Sequence, residues 1–161
     1  MPSTLTIREA VQTDYQAIHG LFRQVLRGLA KKYPENYKQA GAELALQPQT
    51  FVNVLDDPEW AFLLAFRGEK LAGLVQLSVE QESENDYRTQ ERYGWIEELM
   101  VSPNETTEEV APALIKAAQE WGKKLELPYL DHIIYDFNPG LLKEAAKARF
   151  ETVSTRVRTR L

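Results

Sequence analysis

The chain has 161 residues, 43% hydrophobic and 27% charged, which suits one folded domain over residues 1–161 and excludes a disordered polymer. It contains no cysteine, so disulfides, thiolate zinc sites and cysteine nucleophiles are excluded, and its two separated histidines offer no metal-site spacing. A formal net charge of −5 weighs against sequence-independent nucleic-acid binding, which needs a basic footprint.

Residues 4–9 alternate apolar and polar side chains and predict a strand. A helix follows from Thr13, where Thr13 and Gln16 have capping-box spacing. Ile18, Leu21, Phe22, Val25, Leu26 and Leu29 then recur at helical spacing and predict one apolar face, ended near Pro34. His19 falls between these positions, on the surface side. A less regular helical region covers 39–55. Residues 60–66 are a continuous apolar run, expected for a strand covered on both faces. A turn at 67–70 leads to a returning strand at 71–80. Residues 81–91 are polar and read as an exposed loop or a solvated hairpin tip, before another strand at 93–101. Thr106 or Thr107 caps a helix whose buried face is Val110, Leu114, Ala117, Ala118 and Trp121. Residues 129–137 predict a strand. Pro139 opens a helix running to about 148, because a first-turn residue needs no amide hydrogen. The tail, 150–161, alternates again and predicts a last strand. Its Arg156, Arg158 and Arg160 share one side, as anion contacts or as a solvated face. Trp60, Trp95 and Trp121 are expected in the core. The opening residues lack a basic start and an apolar run, and no stretch reaches membrane-spanning length, so the expectation is a cytoplasmic protein with no membrane partner.

The order of elements is β, α, α, β, β, β, α, β, α, β. A meander followed by a right-handed strand–helix–strand crossover gives a mixed sheet with helices on both faces. Local phrases fit one family: Ile7-Arg8-Glu9-Ala10 with Asp14 at the opening strand and helix, Phe62 to Gly73 around a hairpin, Ile96 to Pro103 at a fourth strand, and Asn138 twelve residues before Phe150. Along essentially its whole length the chain resembles the GCN5-related N-acetyltransferases (GNAT). The resemblance implies an α/β, mixed α+β fold with a six- to seven-stranded central sheet and about four flanking helices. It implies transfer of an acetyl group from acetyl-CoA directly to an amine of a small molecule or peptide, with a homodimer among the assemblies it admits. A non-catalytic binding or dimerisation module is the alternative reading.

In the resembled family the fourth and fifth strands part, and the pantetheine arm pairs with fourth-strand backbone, here Leu99, Met100 and Val101. The pyrophosphate rests on amides at the next helix start, here Thr106, Thr107, Glu109, Val110 and Ala111, with Asn138 on the fifth strand. Helix N-termini attract anions through unpaired amides and the helix dipole. Thr106 and Glu109 stand where the family carries Arg or Gln and glycine, and only Ala111 conforms. Thr106 and Glu109 also have capping-box spacing, which would occupy the same amides. A carboxylate about 5 Å from a phosphate, at an effective dielectric of about 20, costs roughly 3 kcal/mol, so weak CoA binding is expected. Ala145 replaces the tyrosine proposed to protonate the thiolate. Arg149 replaces a glycine suited to positive φ and predicts a different backbone path there.

Catalysis by general base needs a carboxylate or imidazole within reach of the amine. Glu97 and Glu98 are the candidates. Neighbours on a regular strand face opposite ways, so only one would look into a given cleft, with Glu97 the preferred one. His132 reads as a base or as a satisfied half-buried histidine, and Tyr135 and Asp136 flank the cleft.

Overall fold

The alternating N-terminal segment and the apolar runs that follow assemble one mixed sheet, seen in a computed structural model that describes residues 4–161. The reading of the first three residues lies outside the described ones. The strands are β1 (Leu5–Glu9), β2 (Trp60–Arg67), β3 (Lys70–Glu82), β4 (Glu91–Val101) and β5 (Leu130–His132), in spatial order β1-β2-β3-β4-β5. The first four pair antiparallel, and β5 joins β4 in parallel after the crossover. Helices α1 (Tyr15–Lys32), α2 (Gly41–Leu44) and α3 (Pro48–Asp56) precede β2, α4 (Thr107–Lys124) makes the crossover, and α5 (Pro139–Lys147) follows β5. No helix among the described residues is long and apolar enough to cross a membrane.

Strand alternation divides the core in two. Leu63, Val75, Leu77 and Ile96 face α4 and meet Val110, Leu114, Ala118 and Trp121. Phe62, Leu64, Leu74 and Met100 face the other way and meet Ile18, Leu21 and Phe22 of α1 and Phe51 and Val54 of α3. The apolar faces of α1 and α4 read from periodicity are therefore the ones buried. Val25, Leu26 and Leu29 are only half-buried, because the C-terminal half of α1 borders a cavity.

Several expectations are corrected. The sheet has five strands among the described residues, not six or seven. The tail after Phe150 forms no strand, and Val153 and Val157 are 76% and 86% exposed. Alternation gives it strand propensity, but it pairs with no strand of the sheet, and its exposed backbone is left to water. Arg156, Arg158 and Arg160 are accordingly exposed and do not border the cavity beside β4. Strand β5 stops at His132 instead of 137. The start of α1 is closed two residues earlier than the Thr13–Gln16 box: Val11 N–H donates to Asp14 Oδ2 at 2.8 Å and Asp14 N–H donates to the Val11 carbonyl at 2.9 Å. Arg8 holds the same carboxylate through two hydrogen bonds, which keeps Asp14 below the usual carboxylate range.

The path at Arg149 also differs from the expectation. It adopts φ +68°, the left-handed conformation a glycine would take. Phe150 N–H bonds the Ala145 carbonyl and Arg149 N–H the Ala146 carbonyl, both at 3.0 Å, a Schellman motif closing α5. Helix α4 closes the same way through Glu126 at φ +56°. A side chain in this region is strained, so Arg149→Gly is expected to raise stability by about 0.5–1 kcal/mol, read as a rise in Tm.

Candidate active site

Residues 93–101 lie beside 129–137, and the two segments part. The parallel ladder pairs Gly94 with Leu130, Trp95 with Asp131 and Ile96 with His132, and then ends. At that point β4 carries a bulge: Leu77 opposes Ile96, yet the next β3 residue, Gln76, opposes Glu98. Glu97 is the extra residue, and such an insertion bends a strand. The His132 ring takes over where β5 backbone leaves, with Nδ1 3.0 Å from the Ile96 carbonyl oxygen. Burial pushes the His132 pKa down, opposed by that bond. The neutral ring donates from Nδ1 to the carbonyl, which leaves the Nε2 lone pair without a proton. His132 is thus a satisfied histidine at the mouth of the gap.

The gap opens into a cavity of about 470 Å³, within the range of small-molecule sites. It is bordered by Glu97, Glu98, Leu99, Met100 and Val101 of β4, and by Thr107 and Asn138. Thr106, Glu109, Val110 and Ala111 lie outside its lining; Val110 and Ala111 are fully buried against the sheet and α5. Asn138 caps α5, its Oδ1 accepting Leu141 N–H at 3.3 Å. Trp95 borders the cavity too, whereas Trp60 and Trp121 pack on the two core clusters and border a separate, smaller pocket.

The bulge changes where the two glutamates point. Glu97 and Glu98 were expected on opposite faces, but both reach the α1 side. Ser78, on that face of β3, donates its hydroxyl to Glu97 Oε1 at 2.6 Å, with Glu80 Oε1 3.1 Å away. Glu98 aligns with Met100, toward α1, while Leu99 and Val101 turn to the α4 side. No donor or cation of the described residues reaches the Glu98 carboxylate. Burial among the cavity walls, and secondarily the Glu97 charge, push its pKa from 4.5 up to about 7. Its exposed surface opens into the cleft, so the low-dielectric walls govern it more than bulk water does.

At the α4 end the expected Thr106–Glu109 capping box is absent, since Thr106 makes no side-chain cap bond. Glu109 turns to Arg67 at 2.8 Å instead, and Arg67 also grips Glu105 through Nε and Nη2 at 2.9–3.1 Å. Arg67, at the end of β2, was not singled out from sequence because its partners are 38 and 42 positions away. It neutralises the acids that would repel an anion, and no acceptor among the described residues takes the Thr107 and Glu108 amides. Thr107 lies close to Gly140, where an added Cβ would stand 3.8 Å from Thr107 Cγ2, so the N-termini of α4 and α5 converge at this end of the gap.

Residues 22–143 match the profile of the acetyltransferase (GNAT) family. The chain belongs to that family. None of the curated proteins matches it by sequence. Among solved structures it is similar to a mutant BH1408 protein from Bacillus halodurans, with a TM-score of 0.84, 19% identity, and coverage of 97% of this chain and 99% of that one. It is similar to the aminoglycoside N-acetyltransferase AAC(6')-Iy bound to a bisubstrate analogue, CoA-S-monomethyl-acetylneamine, with a TM-score of 0.72, 21% identity and 99% coverage of both chains. The aminoglycoside 6'-N-acetyltransferase AAC(6')-Ih from Acinetobacter baumannii gives a TM-score of 0.68 at 14% identity, covering 98% of each chain. At these identities the likeness establishes the GNAT fold, and the family match supports acyl transfer as the general chemistry.

Proposed function

We propose that this GNAT protein transfers an acetyl group from acetyl-CoA to the amine of a small molecule, with Glu98 as general base. The observation that carries the reading is the bulged gap between β4 and β5, which sets an unpartnered carboxylate beside an open strand edge and ends at free helix amides. The structure fits the CoA chemistry: β4 offers backbone donors and acceptors past Ile96, Leu99 and Leu141 give apolar walls, and Arg67 screens the acids at the start of α4. When bound there, acetyl-CoA supplies a thioester whose carbonyl carbon the amine attacks as the C–S bond breaks and CoA leaves as the thiol. Glu98 takes a proton from the entering ammonium, leaving a nucleophilic amine, and later releases that proton to water. Its pKa near 7 suits it to hold and return a proton at working pH. Ser78 holds Glu97 at the bulge and keeps it away from the base position. Ala145 supplies no acid, so the leaving sulfur takes the surplus proton of the attacking nitrogen.

The test is calorimetric titration of acetyl-CoA followed by a thiol-release assay with amines. Micromolar to submillimolar binding and amine-dependent release support the reading. Absence of binding at millimolar acetyl-CoA supports the non-catalytic binding or dimerisation module instead. In the same titration, Arg67→Gln is expected to weaken acetyl-CoA about tenfold by uncovering Glu105 and Glu109, whereas Glu108→Gln tightens it about threefold.

A further inference from the structure

The gap is entered from both sides of the sheet, and the α1 side has a composition of its own. Its floor is Glu98, its near wall is Val25, Leu26 and Leu29, and its far wall is aromatic. Tyr37 comes from the α1–α2 connection, and Tyr135 and Phe137 from the β5–α5 connection. The Phe137 ring stacks on Tyr135 at 5.3 Å with planes 2° apart, meets Tyr33 at 4.5 Å, and receives Tyr37 edge-on at 6.2 Å. Other polar groups at this end are partly engaged: Asn138 caps α5, His132 binds the Ile96 carbonyl through Nδ1, and Ser78 binds Oε1 of Glu97. What is open to a ligand is the Glu98 carboxylate, with the Glu97 carboxylate beside it, the His132 Nε2 lone pair and the Tyr37 and Tyr135 hydroxyls, within apolar and aromatic surface.

From this we infer that the acceptor is a primary amine on an apolar, ring-containing body, of the arylalkylamine class. The inference rests on the acyl-transfer reading and names its substrate. The Glu98 carboxylate meets the ammonium, and aromatic faces attract a cation and stack with a ring. A polyhydroxylated aminocyclitol would bury hydroxyls against side chains that cannot bond them, each at a cost. A polyamine would offer no ring to these faces and would lay further ammonium groups against apolar side chains.

Thiol release is measured for the full chain with saturating acetyl-CoA and phenethylamine, ethylamine, spermidine or kanamycin. The expected kcat/KM for phenethylamine exceeds those for spermidine and kanamycin by about 100-fold. Tyr37→Ala and Phe137→Ala raise KM for phenethylamine about tenfold, with little change in kcat, and raise KM for ethylamine by less. Turnover of kanamycin or spermidine as good as that of phenethylamine overturns the inference and leaves acyl transfer standing. So does a KM for phenethylamine indifferent to both variants. Saturation-transfer NMR reads binding apart from turnover. Phenethylamine bound, and not displaced by kanamycin, with no amine acetylated, overturns acyl transfer while the ligand class stands. Neither binding nor turnover overturns both.

Discussion

Glu98→Gln is expected to lower kcat for amine acetylation by about 10²–10³-fold, the usual contribution of a positioned general base. The amide keeps the shape and loses only the ability to take a proton. The pH profile separates this role from a structural one. With a pKa near 7, the carboxylate form fills in across neutrality, so the base contributes a rise in rate of about tenfold between pH 6 and pH 8. That limb should vanish in the variant. Stability moves the other way. The folded protein raises the Glu98 pKa above its ordinary 4.5, so it binds the proton more tightly than the unfolded chain does. Stability is then lost as pH rises from about 4.5 through about 7. Glutamine carries no such penalty, so the Tm of the variant should exceed that of the parent, by more at pH 8 than at pH 6. A variant less stable at both values and equally impaired at every pH would assign Glu98 to packing.

Gly73→Val is expected to cost about 3 kcal/mol and to lower Tm by roughly 6–12 °C. Gly73 pairs with Val101 across β3 and β4. A Cβ there would stand 2.7 Å from the Met100 carbonyl oxygen and 2.8 Å from Val110 Cγ1, with Leu114 Cδ1 at 3.1 Å. A strand carbonyl cannot step aside as a flexible side chain can. The first turns of α4 approach the sheet over this missing side chain, which puts the Thr107 and Glu108 amides at the end of the gap. Acetyl-CoA affinity should therefore fall along with stability, and Tm and calorimetry together check it. Gly94 gives a useful contrast: its added Cβ would meet Leu130 Cδ2, the movable end of a side chain, so Gly94→Ala should be the milder change.

Much of the architecture was legible because two periodicities are strong. The apolar repeats of α1 and α4 and the unbroken run of β2 each specify an element and its buried side without outside help. The tail shows the limit of that reasoning, since alternation at Val153, Thr155 and Val157 gives a propensity but no partner. The site was legible as a location. The strands that were expected to part do part, and Glu97, Glu98, Thr107 and Asn138 border the opening. Its electrostatics were not legible. The clasp of Arg67 on Glu105 and Glu109 joins a hairpin to a helix start far along the chain, and no local pattern announces it. Tyr37 and Phe137 were missed for the same reason, coming from connections that carry no periodic signal. Two acids at a helix start, with an arginine ending a neighbouring strand, are the signal that could have found the clasp.

Glu97 has a consequence for how fold and chemistry are separated in this protein. Ile96 already points to the α4 side and Glu98 to the α1 side, so removing the residue between them would leave each on its own side and make Leu77–Ile96 and Gln76–Glu98 successive rungs. Shortened by one, β4 could run straight along β5 and lose nothing of its packing. Deletion of Glu97 should thus yield a better-melting protein that no longer takes up acetyl-CoA: the kink serves the ligand, and the packing around it does not need it.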